Sequence, residues 1–145
     1  MDINSEIAQS LIRATGCSLE EALAIKPSDV VNVYGNIYVK LGMGSKKRVA
    51  FAVENDVIIE LMAEAKAEKR PFLIGTAVQN YNYLHDRVYY ANRLYNIISA
   101  NNSYCGDDGH FYGGKKYDEL SLRIVARAMG FRDIQDLGAL LRLKA

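Results

Sequence analysis

The sequence predicts an α+β fold, mostly helical with one small three-stranded antiparallel sheet. Three observations predict it. Apolar residues recur at spacings of three and four along most of the chain; the pattern turns β-branched and aromatic only between Val30 and Val53; and two glycine-bearing turns divide that interval. With 145 residues, 50% of them hydrophobic and 24% charged, the chain has the size and composition of one folded domain, so residues 1–145 are expected to form a single unit.

The elements follow in order. Ile3, Ile7, Leu11 and Ile12 share one helical face over about residues 3–15, and Gly16 suits the left-handed residue that ends a helix. Ser18-Leu19-Glu20-Glu21 has the form of a capping box and starts a helix over about 19–26, which Lys26-Pro27 stops. The sheet spans about 30–53 as strands near 30–34, 37–41 and 47–53, turning at Tyr34-Gly35-Asn36 and at Gly42-Met43-Gly44-Ser45. Val57, Ile58, Leu61, Met62 and Ala65 form the apolar stripe of a helix at about 55–69. Tyr81, Leu84, Val88, Ala91, Tyr95 and Ile98 predict a long helix over about 77–99. Residues 101–116, rich in glycine, asparagine and aspartate, read as a loop, and two helices near 119–129 and 132–143 close the chain.

Several function classes are set aside by composition. No run of 18 apolar residues exists to span a bilayer, and the N-terminus has neither the basic start nor the apolar run of a secretion signal, so a cytoplasmic protein is expected. Cys17 and Cys105 are expected as free thiols, and with only His85 and His110 there is no metal-ligand spacing. His110 beside Asp107 and Asp108 reads as a wet turn, not a metal site. No cofactor is implied, since Gly106, Gly109, Gly113 and Gly114 lack the lysine-serine or helix start of a phosphate-cradling loop.

A net charge of +1 leaves any nucleic-acid contact to local patches. Residues 30–53 carry Lys40, Lys46, Lys47 and Arg48 with no acid, whereas the stretch after them holds Glu54, Asp56, Glu60, Glu64 and Glu68. Lys46-Lys47-Arg48 in a strand turn suits either phosphate contact or an ordinary solvated turn. Lys115, Lys116, Arg123 and Arg127, with Arg132 and Arg142, make the C-terminal third basic, as a phosphate-contacting surface or as the wet face of amphipathic helices. Leu122 to Leu137 also mimics a helix-turn-helix loosely. Packing on the long helix explains most of the tyrosines of residues 81–117, and Tyr112 or Tyr117, near Lys115 and Lys116 in a glycine-rich loop, is a candidate for a displaced nucleophile.

The segment Ala14-Thr15-Gly16-Cys17-Ser18-Leu19-Glu20-Glu21, continuing to Asp29-Val30, resembles the first catalytic box of tyrosine recombinases, the phage-integrase family. That box has the form Thr-Gly-x-Arg-x-x-Glu-x-x-x-Leu, then a polar pair and Asp-Val or Asp-Ile. The resemblance implies a catalytic-domain-like fold in which a three-stranded sheet follows, with a lysine in its last turn near the phosphate, then a helix and an apolar segment. Here those parts are the predicted sheet, Lys46 or Lys47, helix 55–69 and Phe72-Leu73-Ile74.

The departures shape the functional expectation. Ser18 stands where the family has an arginine that grips the scissile phosphate through a bidentate fork, and serine cannot replace it. The second box, His-x-x-Arg, aligns either on Leu120-Ser121-Leu122-Arg123 or by placing Gly130-Phe131 at the family's Gly-His element; neither restores a full site. The nucleophilic tyrosine is missing, because residues 118–145 contain no tyrosine at all.

The resemblance therefore implies a non-catalytic, integrase-like DNA-binding or accessory protein of a mobile element, with phosphate contacts from Lys46, Lys47, Arg48, Lys115, Lys116, Arg123 and Arg127. Most members encircle DNA with a further N-terminal domain. Without it, binding to DNA is expected to be weak and salt dependent, with help from a homo-oligomer or a recombinase-like protein partner. The alternatives are a protein-interaction module working through helix 77–99, and a residual strand-cleaving recombinase complemented in trans.

Overall fold

The computed structural model describes residues 3–75, 78, 82–100 and 109–143. It has six α-helices and two antiparallel sheets among these residues, and the expected class, helical with a three-stranded meander, is the one observed.

Helix α1 (Ile3–Thr15) buries Ala8, Leu11, Ile12 and Ala14. It ends at Gly16, whose φ of +72° favours glycine; a Cβ there would also lie 2.2 Å from the ring of Tyr90. The capping box forms as predicted: the Ser18 hydroxyl accepts from the Glu21 amide at 3.2 Å, and the Glu21 carboxylate accepts from the Ser18 amide at 3.0 Å. Helix α2 (Leu19–Ala24) stops before residue 26, because Ile25 and Lys26 take the extended backbone that a following proline imposes.

The sheet comprises β1 (Val30–Val33), β2 (Asn36–Leu41) and β3 (Arg48–Phe51), in the order β1-β2-β3. Val33 pairs with Asn36 across a two-residue turn, Tyr34-Gly35, with φ of +51° and +88°, the primed geometry that matches strand twist. β3 is shorter than expected: the Ala52 amide still bonds the Ile37 carbonyl of β2, and the chain then turns away, the Val53 amide bonding the carbonyl of Ala14. Helix α3 (Asp56–Glu68) follows.

Two differences from the sequence reading concern the second half. Helix α4 (Leu84–Ala100) begins at Leu84, where the Asn82 side chain accepts from the Leu84 amide, so the expected extension to 77 is not helical at Val78, Asn82 or Tyr83; Tyr81 lies outside the described residues. The expected loop 101–116 contains a hairpin, β4 (Gly109–Tyr112) and β5 (Lys115–Asp118), turning at Gly113-Gly114 with φ of +58° and +82°. Helices α5 (Glu119–Ala128) and α6 (Ile134–Leu141) are capped by Asp118 and Asp133, each accepting from backbone amides.

Among the described residues, the buried ones form two clusters. One joins α1, α2, the three-stranded sheet and α3 with Leu73 and Tyr83; the other joins α4, α5, α6 and the second hairpin. Tyr90 links them, packing on Gly16 and donating to the carbonyl of Phe51 at 2.8 Å. Among the described residues no helix is long and apolar enough to cross a membrane.

Candidate nucleic-acid interface

The N-terminus of α2, the β2–β3 connection and the end of α5 border one open groove. Ser18, Glu20 and Lys26 line it from the α2 side, Lys40 to Met43 and Lys46 to Val49 from the sheet, and Phe72, Arg87 and Met129 to Phe131 from elsewhere. The Lys46 and Lys47 side chains are exposed, and neither has an ion-pair partner among the described residues.

Arg48 differs from its two neighbours. Its side chain is only 8% exposed and makes four hydrogen bonds: Nη1 and Nη2 donate to the two Glu21 carboxylate oxygens at 2.5 and 2.9 Å, Nε to the Ala128 carbonyl at 2.9 Å, and Nη1 to the Lys46 carbonyl at 3.1 Å. This is the bidentate geometry in which arginine binds a carboxylate best. Burial pushes the Glu21 carboxyl up, but the bonds from Arg48 and from the Ser18 amide outweigh it and hold the group below the usual carboxylate range. A guanidinium therefore does stand beside Ser18, supplied by β3 and closed off by Glu21. Of the basic triplet expected to meet phosphate, the geometry turns Arg48 inward.

Arg87, which no sequence pattern singled out, is also internal. It donates to the carbonyls of Gly16 at 3.0 Å and Met129 at 3.4 Å and lies 5.3 Å from the centre of the Phe131 ring. Cys17 beneath it is fully buried and accepts from the Thr15 hydroxyl at 3.0 Å; burial pushes its thiol up to about 11, which leaves it inert. Cys105 lies outside the described residues.

The C-terminal cations are apart from the groove lining. Lys115 Nζ sits 5.5 Å from the Tyr95 ring centre and 5.1 Å from that of Tyr117. Lys116 runs along Gly109, where a Cβ would meet its Cε at 2.0 Å. Arg123 is exposed on α5 with Glu119 at 3.6 Å, and Arg127, one turn on, borders a shallow apolar groove with Tyr38, Val49, Ile97 and Ile124. Helices α5 and α6 do flank a turn at Gly130, as the helix-turn-helix pattern suggested.

Among the described residues, no tyrosine lines the basic groove. Tyr112 is buried, and so is Tyr117, whose hydroxyl donates to Asn92 at 3.1 Å; burial and the adjacent Tyr95 push the Tyr117 phenol up, away from phenolate. On α4, Tyr90 and Tyr95 are buried and Tyr89 donates to Glu54. Among the described residues, His110 lies 3.3 Å from the Glu119 carboxylate and stacks on the Tyr112 ring with 6.3 Å between ring centres, and no metal-holding group of side chains occurs; Asp107 and Asp108 lie outside them.

No family model matches the sequence, and no curated protein matches it. Among solved structures, the fold is similar to that of the XerH site-specific recombinase bound to its difH substrate in a pre-cleavage complex, with a TM-score of 0.53 and 17% identity. The match covers 99% of this chain and 45% of that one, so this chain spans less than half the length of the recombinase.

Proposed function

We propose that this chain is a non-catalytic, integrase-like DNA-binding or accessory protein of a mobile element, which holds a phosphate backbone against the β2–β3 connection without cutting it. The observation that carries this reading is the contrast within one groove. Among the described residues, Lys46 and Lys47 extend into solvent without partners, the guanidinium beside Ser18 is engaged by Glu21, and no tyrosine lines the site. Lysines so placed attract phosphate as point charges. A strand-cleaving mechanism would need a nucleophile within reach of the same phosphate, and the tyrosines of the second hairpin are packed elsewhere.

Arg123 and Arg127, both exposed on α5, are proposed to extend the phosphate contact; Lys115 and Lys116 are proposed as outer contacts only. Contacts of this kind position a protein without reading bases, and binding by so few of them is weak, so a second copy or a recombinase-like partner would share the DNA. The likeness to a recombinase held on its DNA substrate supports the reading through the fold.

Fluorescence anisotropy with a labelled duplex at two salt concentrations tests it. Binding should fade with salt, and Lys46→Ala and Lys47→Ala should each weaken it by about threefold or more and flatten the salt slope by about one unit. Salt-independent binding, or none in low salt, would overturn the proposal. A covalent adduct on a nicked suicide substrate would overturn its non-catalytic part.

A further inference from the structure

We propose that the Glu21–Arg48 pair is the positioning element of the phosphate site: it fixes the loop that presents Lys46 and Lys47, and it does not itself meet phosphate. The inference rests on the DNA-binding reading and adds to it a residue pair that this reading does not require.

Among the described residues, no side chain of residues 42–47, between β2 and β3, bonds to the body of the fold. Met43 is 85% exposed, Ser45, Lys46 and Lys47 are exposed, and Gly42 and Gly44 adopt positive φ. Within the loop the Lys46 amide bonds the Met43 carbonyl and the Lys47 amide that of Gly44, which shapes a short 3-10 turn without tying it to another element among the described residues. The tie to the body is Arg48. Its Nη1 holds the Lys46 carbonyl while the rest of the guanidinium is clamped between Glu21 on α2 and the Ala128 carbonyl at the end of α5.

The surroundings are shaped to this guanidinium. A Cβ on Gly130 would come within 2.9 Å of Arg48 Nη1, and one on Gly42 within 3.1 Å of it and 2.2 Å of the Lys46 carbonyl oxygen. Two positive-φ glycines thus leave room for one side chain. Because loosely held lysines lose conformational freedom on meeting phosphate, a loop fixed beforehand binds better than the same charges on a free one.

A rival role makes the opposite prediction. If Arg48 were a phosphate ligand held off by Glu21, removing the Glu21 charge would release it and also make the groove more positive, so DNA would bind more tightly. In the positioning role, Glu21→Gln loosens the clamp, and DNA binds more weakly although the groove has gained positive charge.

The experiment measures duplex affinity and salt slope for the full chain and for Glu21→Gln, Arg48→Lys and the charge-matched control Glu20→Gln, each shown by thermal melting to be folded at the binding temperature. We expect Glu21→Gln and Arg48→Lys to bind about tenfold more weakly, and Glu20→Gln to bind as well as or better than the unaltered chain. Lys46→Ala should cost much less in the Glu21→Gln background than alone, since the loop is already displaced. Arg48→Lys keeps the charge without the fork, so the question stays answerable if Glu21→Gln does not fold. Unaltered or tighter binding by a folded Glu21→Gln or Arg48→Lys chain overturns the positioning role alone; failure of the unaltered chain to bind overturns the DNA-binding reading and this inference with it.

Discussion

Two lysine pairs sit beside glycine turns in antiparallel hairpins: Lys46 and Lys47 follow Gly42 and Gly44, and Lys115 and Lys116 follow Gly113 and Gly114. Their settings differ in what lies beneath. The first turn has no packed side chain of its own and is held through its backbone by Arg48, so its ammonium groups stay in solvent. The second turn rests on aromatic residues, and Lys115 lies over the rings of Tyr95 and Tyr117. Identical residue pairs thus have different settings: the first pair stands in solvent without a partner among the described residues, while Lys115, itself exposed, lies over two rings of the second buried cluster.

The sharpest way to break this contrast is to remove what holds the first turn. Arg48→Met leaves the Glu21 carboxylate, 16% exposed, without its partner and orphans the Ala128 carbonyl, which should cost about 3 kcal/mol in a urea unfolding titration. Lys46→Ala, by contrast, should stay within about 0.5 kcal/mol of the unaltered chain. A stability loss for Arg48→Met no larger than that would mean the pair contributes nothing to the fold.

The second turn has its own point of failure. Tyr112 packs on Gly138 of α6 so closely that a Cβ there would lie 2.2 Å from the ring, and the ring is too confined to yield freely. Gly138→Ala should therefore displace β4–β5 and destabilise the chain by about 2 kcal/mol, read by the same titration, although alanine favours helix.

These two regions also differ in how much of them the sequence discloses. The capping box and the first hairpin are local, set by Ser18 with Glu21 and by Tyr34-Gly35, and both are readable at short range. The second hairpin was equally local, since Gly113-Gly114 between Tyr112 and Lys115 is a type I′ turn signal, but the density of glycine around it reads as loop. What no short-range pattern discloses is the role of Arg48. Glu21 lies 27 residues away and already has a sufficient task as a cap, and Ala128 lies 80 residues away. Side-chain availability is a tertiary property, so Lys46, Lys47 and Arg48 look alike in sequence and only the fold separates them.

A smaller effect sharpens the comparison at the second pair. Lys115→Ala removes an ammonium held over two phenol rings and should cost about 1 kcal/mol of stability. As an outer contact it should lower the salt slope of DNA binding by less than Lys46→Ala, which lowers that slope by about one and leaves stability alone. Crossed results, with slope lost at Lys115 and stability lost at Lys46, would reverse the assignment of the two turns.

The smallest effect is a pH dependence in which each hairpin has a bordering carboxylate. Burial raises the Glu21 pKa but Arg48 and the Ser18 amide lower it by more, and the Asp118 pKa, at the end of β5, is lowered chiefly by the Ser121 hydroxyl. A carboxyl whose folded pKa lies below its unfolded value contributes stability that is full above the unfolded value and is lost as pH falls through the folded one. Thermal midpoints should therefore drop below the ordinary carboxylate range, near pH 4. In Arg48→Met the Glu21 carboxyl loses its main lowering influence and keeps only the Ser18 amide and Arg87 against burial, so that variant's stability should drop less steeply on acidification than the unaltered chain's. Asp118→Asn should flatten the remainder while leaving DNA binding intact, since that carboxylate caps α5 and lies outside the groove lining. Equal acid slopes in the unaltered chain and in Arg48→Met would show that the guanidinium does not hold Glu21 ionised.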